Sequence, residues 1–238
     1  MARFFVPQEN ICGEIVTITG EDVTHITKVL RMREGDTFTA CDGCQGDYLC
    51  KLIAADKKTV TAHILEKKEN EAEPPVFITL YQGLPKASKL DYIVQKCVEI
   101  GVCRIVPMHS ARVVKAGEVK RERLSKIALE AAKQSGRGIV PEVGETISFR
   151  EAVKAAARAD LALFPYECEK ECSLRQALRG KTPRTVSVLI GPEGGFTDEE
   201  KTIADENGLL VVTLGRRILR TETAGPVTCG NILYEIEG

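Results

Sequence analysis

The chain predicts an α/β fold: a mainly parallel sheet flanked by helices, preceded by a small β-rich module. Three observations predict it. Residues 1–66 hold short alternating apolar and polar runs separated by turn residues, the period of half-buried strands. From Val76 onward apolar strand-like runs alternate with helical patterns, as in sheets whose strands are joined by helical crossovers. In the last third two apolar runs, Val186 to Ile190 and Leu209 to Leu214, each empty into a loop rich in glycine, arginine or threonine.

The elements follow in order. Arg3 to Val6, Asp36 to Ala40, Tyr48 to Ala54 and Thr59 to Leu65 read as strands, interrupted by a helix over Asp22 to Met32 with Val23, Ile26, Val29 and Leu30 on its apolar stripe. Lys67 to Pro75 is polar, charged and ends in two prolines, and marks the expected boundary between a domain over 1–70 and one over 74–238. Val76 to Tyr81 is a strand, and Ser88-x-x-Asp91 caps a helix running through Glu99. Arg104 to Met108 is a strand, and Glu118 to Gly136 a long helix that turns Leu124, Ile127, Ala128 and Ala131 inward. Phe149 to Arg158 is helical, Leu161 to Phe164 a strand and Leu174 to Arg179 a helix. Between the last two strands, Thr197-Asp198-Glu199-Glu200 has the spacing of a capping box, in which threonine and glutamate satisfy free amides at a helix start. After the second loop, Gly225-Pro226 predicts a helix that starts late, because proline fits a first turn.

Buried strands joined by a helix normally run parallel, so their C-terminal ends open on one side. Both loops, Gly191-Pro192-Glu193-Gly194-Gly195-Phe196 and Gly215 to Ala224, are therefore expected at one crevice. Open α/β sheets bind ligands there, where glycine admits close backbone approach.

Composition narrows the classes. The chain has 238 residues, 43% hydrophobic, and a net charge of −1. It contains no apolar run of 18 residues, and its start lacks the long apolar stretch of a signal peptide, so a cytoplasmic protein with no membrane segment is expected. Nine cysteines then suggest reduced thiols. Cys41-x-x-Cys44 with Cys50 and His63 invites a zinc reading, but Asp42-Gly43 between strand-like runs suits a hairpin turn better, and no metal is expected. His63 and His109 read as packing or capping residues. Residues 1–73 carry net −4, whereas Arg112 to Gly138 hold eight basic and three acidic residues. Such a run suits either phosphate contact or a solvated helix face. No Gly-x-Gly-x-x-Gly follows a strand, which argues against a nicotinamide fold.

Ile190-Gly191-Pro192-Glu193-Gly194-Gly195-Phe196 and Leu214-Gly215-x-x-Ile218-Leu219-Arg220-x-Glu222-Thr223-Ala224 resemble the motifs of the RsmE family. Arg3-Phe4-Phe5-Val6, His25 to Asp36, Lys96-Cys97-x-Glu99-x-Gly101-Val102 and Glu130-Ala131-Ala132-x-Gln134-Ser135-x-Arg137 extend the likeness along the chain. These are SPOUT-class enzymes that use S-adenosyl-L-methionine to methylate N3 of a uridine in small-subunit (16S) ribosomal RNA. The resemblance implies a PUA-like first domain that binds RNA, a trefoil knot in the last third, and a homodimer acting on 16S ribosomal RNA or the small subunit. It departs at Arg216, where the family pattern has proline.

On this resemblance, the cofactor is expected between Ile190, Gly191, Pro192, Glu193, Gly194 and Gly195 on one side and Leu214, Gly215, Ile218 and Leu219 on the other. Arg220, Thr223 and Ala224 extend the second wall, and Leu163, Phe164 and Pro165 form either a further wall or plain core. Methyl transfer to N3 needs a proton removed and the resulting charge on two carbonyls stabilised. Arg220 suits the second task, since a planar, permanently charged fork placed in advance contributes about 3 kcal/mol. Glu222 suits either proton removal or the start of the following helix, where Thr221 and Thr223 fit as caps. His25, Lys28, Arg31, Arg33, Arg112, Gln134, Ser135 and Arg137 are the expected RNA contacts, with Arg112 and Arg137 on phosphates. Two other functions remain open: SPOUT methylation of a ribose 2′-hydroxyl in transfer or ribosomal RNA, and a non-catalytic RNA-binding factor in ribosome assembly.

Overall fold

The computed structural model describes residues 1–86, 89–113 and 119–237. It forms two compact units, residues 1–73 with 132–140 and residues 74–131 with 141–238.

The first unit is built on strands β1 (Arg3–Phe5), β2 (Ile11–Cys12), β3 (Ile15–Thr19), β4 (Thr37–Cys41), β5 (Gly46–Ala55) and β6 (Thr59–Glu69), in the sheet order β1-β4-β5-β6-β3-β2. Only β1 and β4 pair in parallel. Alternation works as expected: Phe4, Val16, Ile18, Phe38, Cys50, Leu52, Val60 and Ala62 all point into one core. Strand β3 was not among the expected strands, although Val16 and Ile18 alternate between Gly13 and Gly20. Strand β6 runs past the expected Leu65: Lys67, Lys68 and Glu69 pair with Tyr48, Asp47 and Gly46, so charge at this strand end reflects solvent exposure rather than an unpaired linker. Cys41 and Cys44 flank the expected hairpin turn, closed by the Asp42 Oδ1, which accepts from the Cys44 and Gly46 amides at 2.8 and 2.9 Å.

The expected helix over Asp22 to Met32 is shorter and changes type. Helix α1 (Glu21–Thr24) passes into a π-helical turn over His25–Val29. Each wider turn shifts the face that later residues present. Val23 and Ile26 are therefore buried, while Val29 and Leu30 are exposed.

Residues 132–140 belong to this unit through Arg137, which is 2% exposed. Its Nη2 and Nε donate to Glu73 at 2.6 and 3.1 Å, and Glu73 also accepts from the amides of Gly138 and Ile139. A second buried pair, Arg3 to Asp47 at 2.5 and 2.7 Å, shares Asn70 as a further donor to Asp47.

The second unit runs β7 (Phe77–Gly83), α2 (Lys89–Ile100), β8 (Arg104–His109), α3 (Arg121–Ser135), β9 (Glu142–Val143), β10 (Ile147–Ser148), α4 (Phe149–Ala156), β11 (Leu161–Pro165), α5 (Leu174–Leu178), β12 (Thr185–Ile190), α6 (Asp198–Glu206), β13 (Leu210–Val212) and α7 (Thr221–Glu237). Ser88 and Glu118, expected to start α2 and α3, lie outside the described residues. The sheet is parallel throughout, in the order β10-β8-β7-β12-β11-β13, with β9 also on β8. Thus β11 separates β12 from β13, yet both still end on the same side. Capping boxes open three helices: Ser148 with Glu151, Ser173 with Gln176, and the expected Thr197 with Glu200.

Helix α7 does not start late. The Arg220 carbonyl accepts from both the Thr223 and Ala224 amides at 2.8 Å, which nucleates the first turn upstream of Pro226. Proline at the sixth helical position removes only the bond that Glu222's carbonyl would otherwise receive.

Candidate active site

The C-terminal ends of β11, β12 and β13 open onto one cavity of about 430 Å³, within the range of small-molecule sites. The first loop supplies Ile190, Gly191, Pro192, Glu193, Gly195 and Phe196; the second supplies Thr213 to Thr221 and Ala224. Pro165, Tyr166 and Glu167 follow β11, and Lys89 enters from the start of α2.

One buried hydroxyl ties the two loops together. Thr221 Oγ1 donates to the Gly191 carbonyl at 2.6 Å and accepts from Gln82 Nε2, at the end of β7, at 2.9 Å. Thr221 was expected to cap α7; it instead anchors that helix start to the first loop. Beside it, Gly83 sits so close to the loop that an added Cβ would lie 2.7 Å from Pro192 N and 2.9 Å from the Gly191 carbonyl carbon. Backbone cannot yield there without moving the cavity wall. Gly83→Ala is expected to weaken cofactor binding at least about tenfold, measured by calorimetry, because sub-ångström shifts of positioning groups are costly.

A charged cluster stands at the cavity edge. Lys89 Nζ lies 3.1 Å from both Glu193 Oε1 and Glu222 Oε2. Partial burial opposes the ionisation of Glu193, but the Lys86 amide, its own amide and the Lys89 ammonium outweigh it and lower its pKa. Glu222 is also held below the usual carboxylate range, first by its own backbone N–H and then by Lys89 and the Arg220 charge. The same two carboxylates, Glu193 before Glu222, raise the pKa of Lys89. Arg220 is exposed on the rim, flanked by the exposed Arg216 and Arg217.

These residues fit a ligand such as S-adenosylmethionine. Glu167 places a carboxylate on the wall, suited to a positively charged group of the ligand, while Pro165, Ile190, Phe196 and Leu219 provide apolar surface. Gly215, at φ +110°, keeps part of the second wall as bare backbone, with open space where a Cβ would stand.

Several expected site residues lie elsewhere. Leu163 and Phe164 are fully buried, and Phe164 stacks on Phe196 at 4.4 Å, so they are core and Pro165 alone of the three meets the cavity. The side chains of strand residues alternate between faces, and only the strand end reaches the opening. Gly194 and Thr223 do not line the cavity either; the Gly194 carbonyl accepts from Arg112 Nη1 at 2.8 Å. Lys89, Gln82, Tyr166, Glu167, Arg216 and Arg217 were not anticipated. Nothing local distinguishes Lys89 from any lysine beginning a helix, since its partners come from distant loops.

The expected RNA contacts divide. Lys28, Arg31, Arg33, Arg112 and Gln134 are exposed, while Ser135 is half-buried, and its Oγ donates to the Ala132 carbonyl. His25 packs edge-on against Phe4 with centroids 6.0 Å apart. Arg137 is a correction: its guanidinium is enclosed with Glu73 and faces no solvent from which phosphate would approach. Much of the basic run is likewise neutralised, since Arg121 pairs with Glu145, Arg123 with Asp91 and Lys133 with Asp22. Lys115 lies outside the described residues. Among the described residues no group of three or more His, Cys, Asp or Glu is arranged to hold a metal, and no helix is long and apolar enough to cross a membrane.

Comparison with known proteins agrees with this geometry. Residues 72–233 match the RNA methyltransferase domain family, and residues 18–65 match the RNA methyltransferase PUA domain family. Ribosomal RNA small subunit methyltransferase E of Bacillus subtilis is 37% identical, aligned over 100% of this chain and 98% of its own length. Its namesake from Synechocystis is 34% identical over 97% of this chain and 76% of its own. The crystal structure of the Neisseria gonorrhoeae protein of that name, bound to S-adenosyl methionine, superposes with a TM-score of 0.88 at 33% identity, covering 98% of this chain and 96% of that one. With both domain families matched and likeness along its whole length, the chain belongs to the ribosomal RNA small subunit methyltransferase E family.

Proposed function

We propose that the protein transfers a methyl group from S-adenosylmethionine to N3 of a uridine in small-subunit 16S ribosomal RNA. The observation that carries this reading is the convergence of both terminal-third loops on one cavity with Arg220 at its rim. When bound between the loops, S-adenosylmethionine would supply the methyl carbon for N3, with the carbon–sulfur bond electrons remaining on sulfur. The protein's part is geometric and electrostatic. The two loops hold the cofactor, with Thr221 fixing their separation and Glu167 facing its positive groups. Arg220, exposed at the rim, is assigned to the charge that develops on the uracil carbonyls as the N3 proton passes to solvent water. Glu222, proposed with Arg220 for the chemistry, is held ionised by its own amide, which suits it to order the start of α7 and the cations around it.

The exposed Lys28, Arg31 and Arg33 of the PUA-like unit and Arg112 of the catalytic unit are the proposed RNA contacts. Two further parts of the reading rest on the family resemblance: the knotted path of the last third and a homodimer. Val227 and Tyr234, seven residues apart on α7 and both exposed, offer apolar surface on one helix face to a second copy. The nine unpaired thiols are in keeping with a cytoplasmic setting.

The test is nucleoside mass mapping. Small-subunit RNA or intact subunits from cells lacking the enzyme are incubated with protein and methyl-labelled cofactor, then digested. Label in 3-methyluridine is expected; label on a ribose oxygen, or cofactor binding without transfer to any RNA, would replace this reading with one of the two alternatives.

A further inference from the structure

Glu222 lies 3.1 Å from one cation, Lys89, and follows another, Arg220, by two residues, and only Arg220 is needed for the proposed chemistry. Lys89 Nζ stands 3.1 Å from its Oε2, with 19% of the Glu222 side chain exposed. Arg220, two residues before it, acts on the same carboxylate through its charge. Lys89 is fixed in turn by Glu193 at 3.1 Å, and Glu193 is held by the Lys86 amide at 3.0 Å. The ammonium therefore joins α2, the first loop and the start of α7 in one network.

We propose that Lys89 is a positioning residue that occupies Glu222, leaving the Arg220 guanidinium free to face the substrate base. Without the ammonium, Arg220, two residues away in the chain, becomes the competing partner for Glu222, and an arginine–carboxylate fork is a strong pairing. Arg220 would then be drawn into an internal ion pair and withdrawn from the uracil carbonyls. This inference rests on the proposed methyl transfer, and it makes a prediction that simple loss of packing does not: removing the charge of Glu222 should repair the loss of Lys89.

The experiment compares Lys89→Met, Lys89→Arg, Glu222→Gln and the double variant Lys89→Met/Glu222→Gln in the full-length protein. Turnover is measured at saturating RNA and cofactor, cofactor affinity by calorimetry, and folding by thermal melting. Lys89→Met is expected to lower turnover on the order of tenfold to a hundredfold, part of the effect of losing the cation outright, with cofactor affinity changed much less. Lys89→Arg should retain most activity, and the double variant should exceed Lys89→Met by about tenfold, a non-additivity expected only of coupled residues. Lys89→Gln carries the same comparison if the methionine variant does not fold. A double variant no more active than Lys89→Met, or a Lys89→Met enzyme with normal turnover, overturns the inference. Wild-type protein that transfers no methyl group would instead overturn the proposed function, so the two failures are distinct.

Discussion

Arg220→Ala is expected to lower the methyl-transfer rate by about 10²–10³-fold, the cost typical of removing one preorganised donor from a developing negative charge. The protein should still fold and bind cofactor, because Arg220 is exposed at the rim and its backbone carbonyl, not its side chain, nucleates α7. Loss of N3–H turns a neutral imide into an anion shared by two carbonyls, and a guanidinium offers parallel donors to such oxygens without losing its own charge. Arg220→Lys should consequently recover only part of the rate, since a point charge lacks the fork. Single-turnover kinetics with labelled cofactor, alongside calorimetry, separates chemistry from binding. Near-normal turnover in the alanine variant would remove Arg220 from the mechanism.

The second large effect falls on stability. Arg137→Met should destabilise the protein by about 3–5 kcal/mol, because removing one partner of a buried ion pair strands the other charge. The Arg137 and Glu73 side chains are 2% and 7% exposed, and Glu73 additionally gathers the amides of Gly138 and Ile139. The methionine variant keeps the volume but leaves that carboxylate with two amides in place of a guanidinium. Glu73→Gln should cost a comparable amount: its amide oxygen can still accept from both backbone donors, but the negative charge beside the buried guanidinium is lost and an N–H donor faces Arg137 Nη2 where the carboxylate accepted. Urea denaturation followed by circular dichroism measures both. If Arg137 instead served phosphate, its replacement would leave the midpoint unchanged and weaken RNA binding alone.

Arg137 also shows why charge along a chain is a poor guide to a charged surface. In sequence it ends the most basic stretch; in the fold it is among the largest fully buried side chains, and Arg121, Arg123 and Lys133 of the same stretch carry carboxylate partners from elsewhere. Leu163 and Phe164 teach a related point, for a strand beside a site contributes its last residue to the opening and the rest to the core.

Patterns set by near neighbours were legible from the sequence alone. Alternation located β4 and β5, and apolar runs between helical patterns located β7, β8, β11 and β12; the Thr197 to Glu200 spacing marked the start of α6; and the two glycine-bearing loops pointed to a common ligand site. These depend on residues a few positions apart, whose geometry the backbone itself dictates. Tertiary structure alone decided that β11 lies between β12 and β13, that the π-helical turn exposes Val29 and Leu30, that Gln82 and Thr221 clasp the loops, and that Lys89 joins Glu193 to Glu222. The strand order and the two side-chain clasps pair groups far apart in the chain, and the free energy that selects them arises only once burial brings the groups together and takes them out of water.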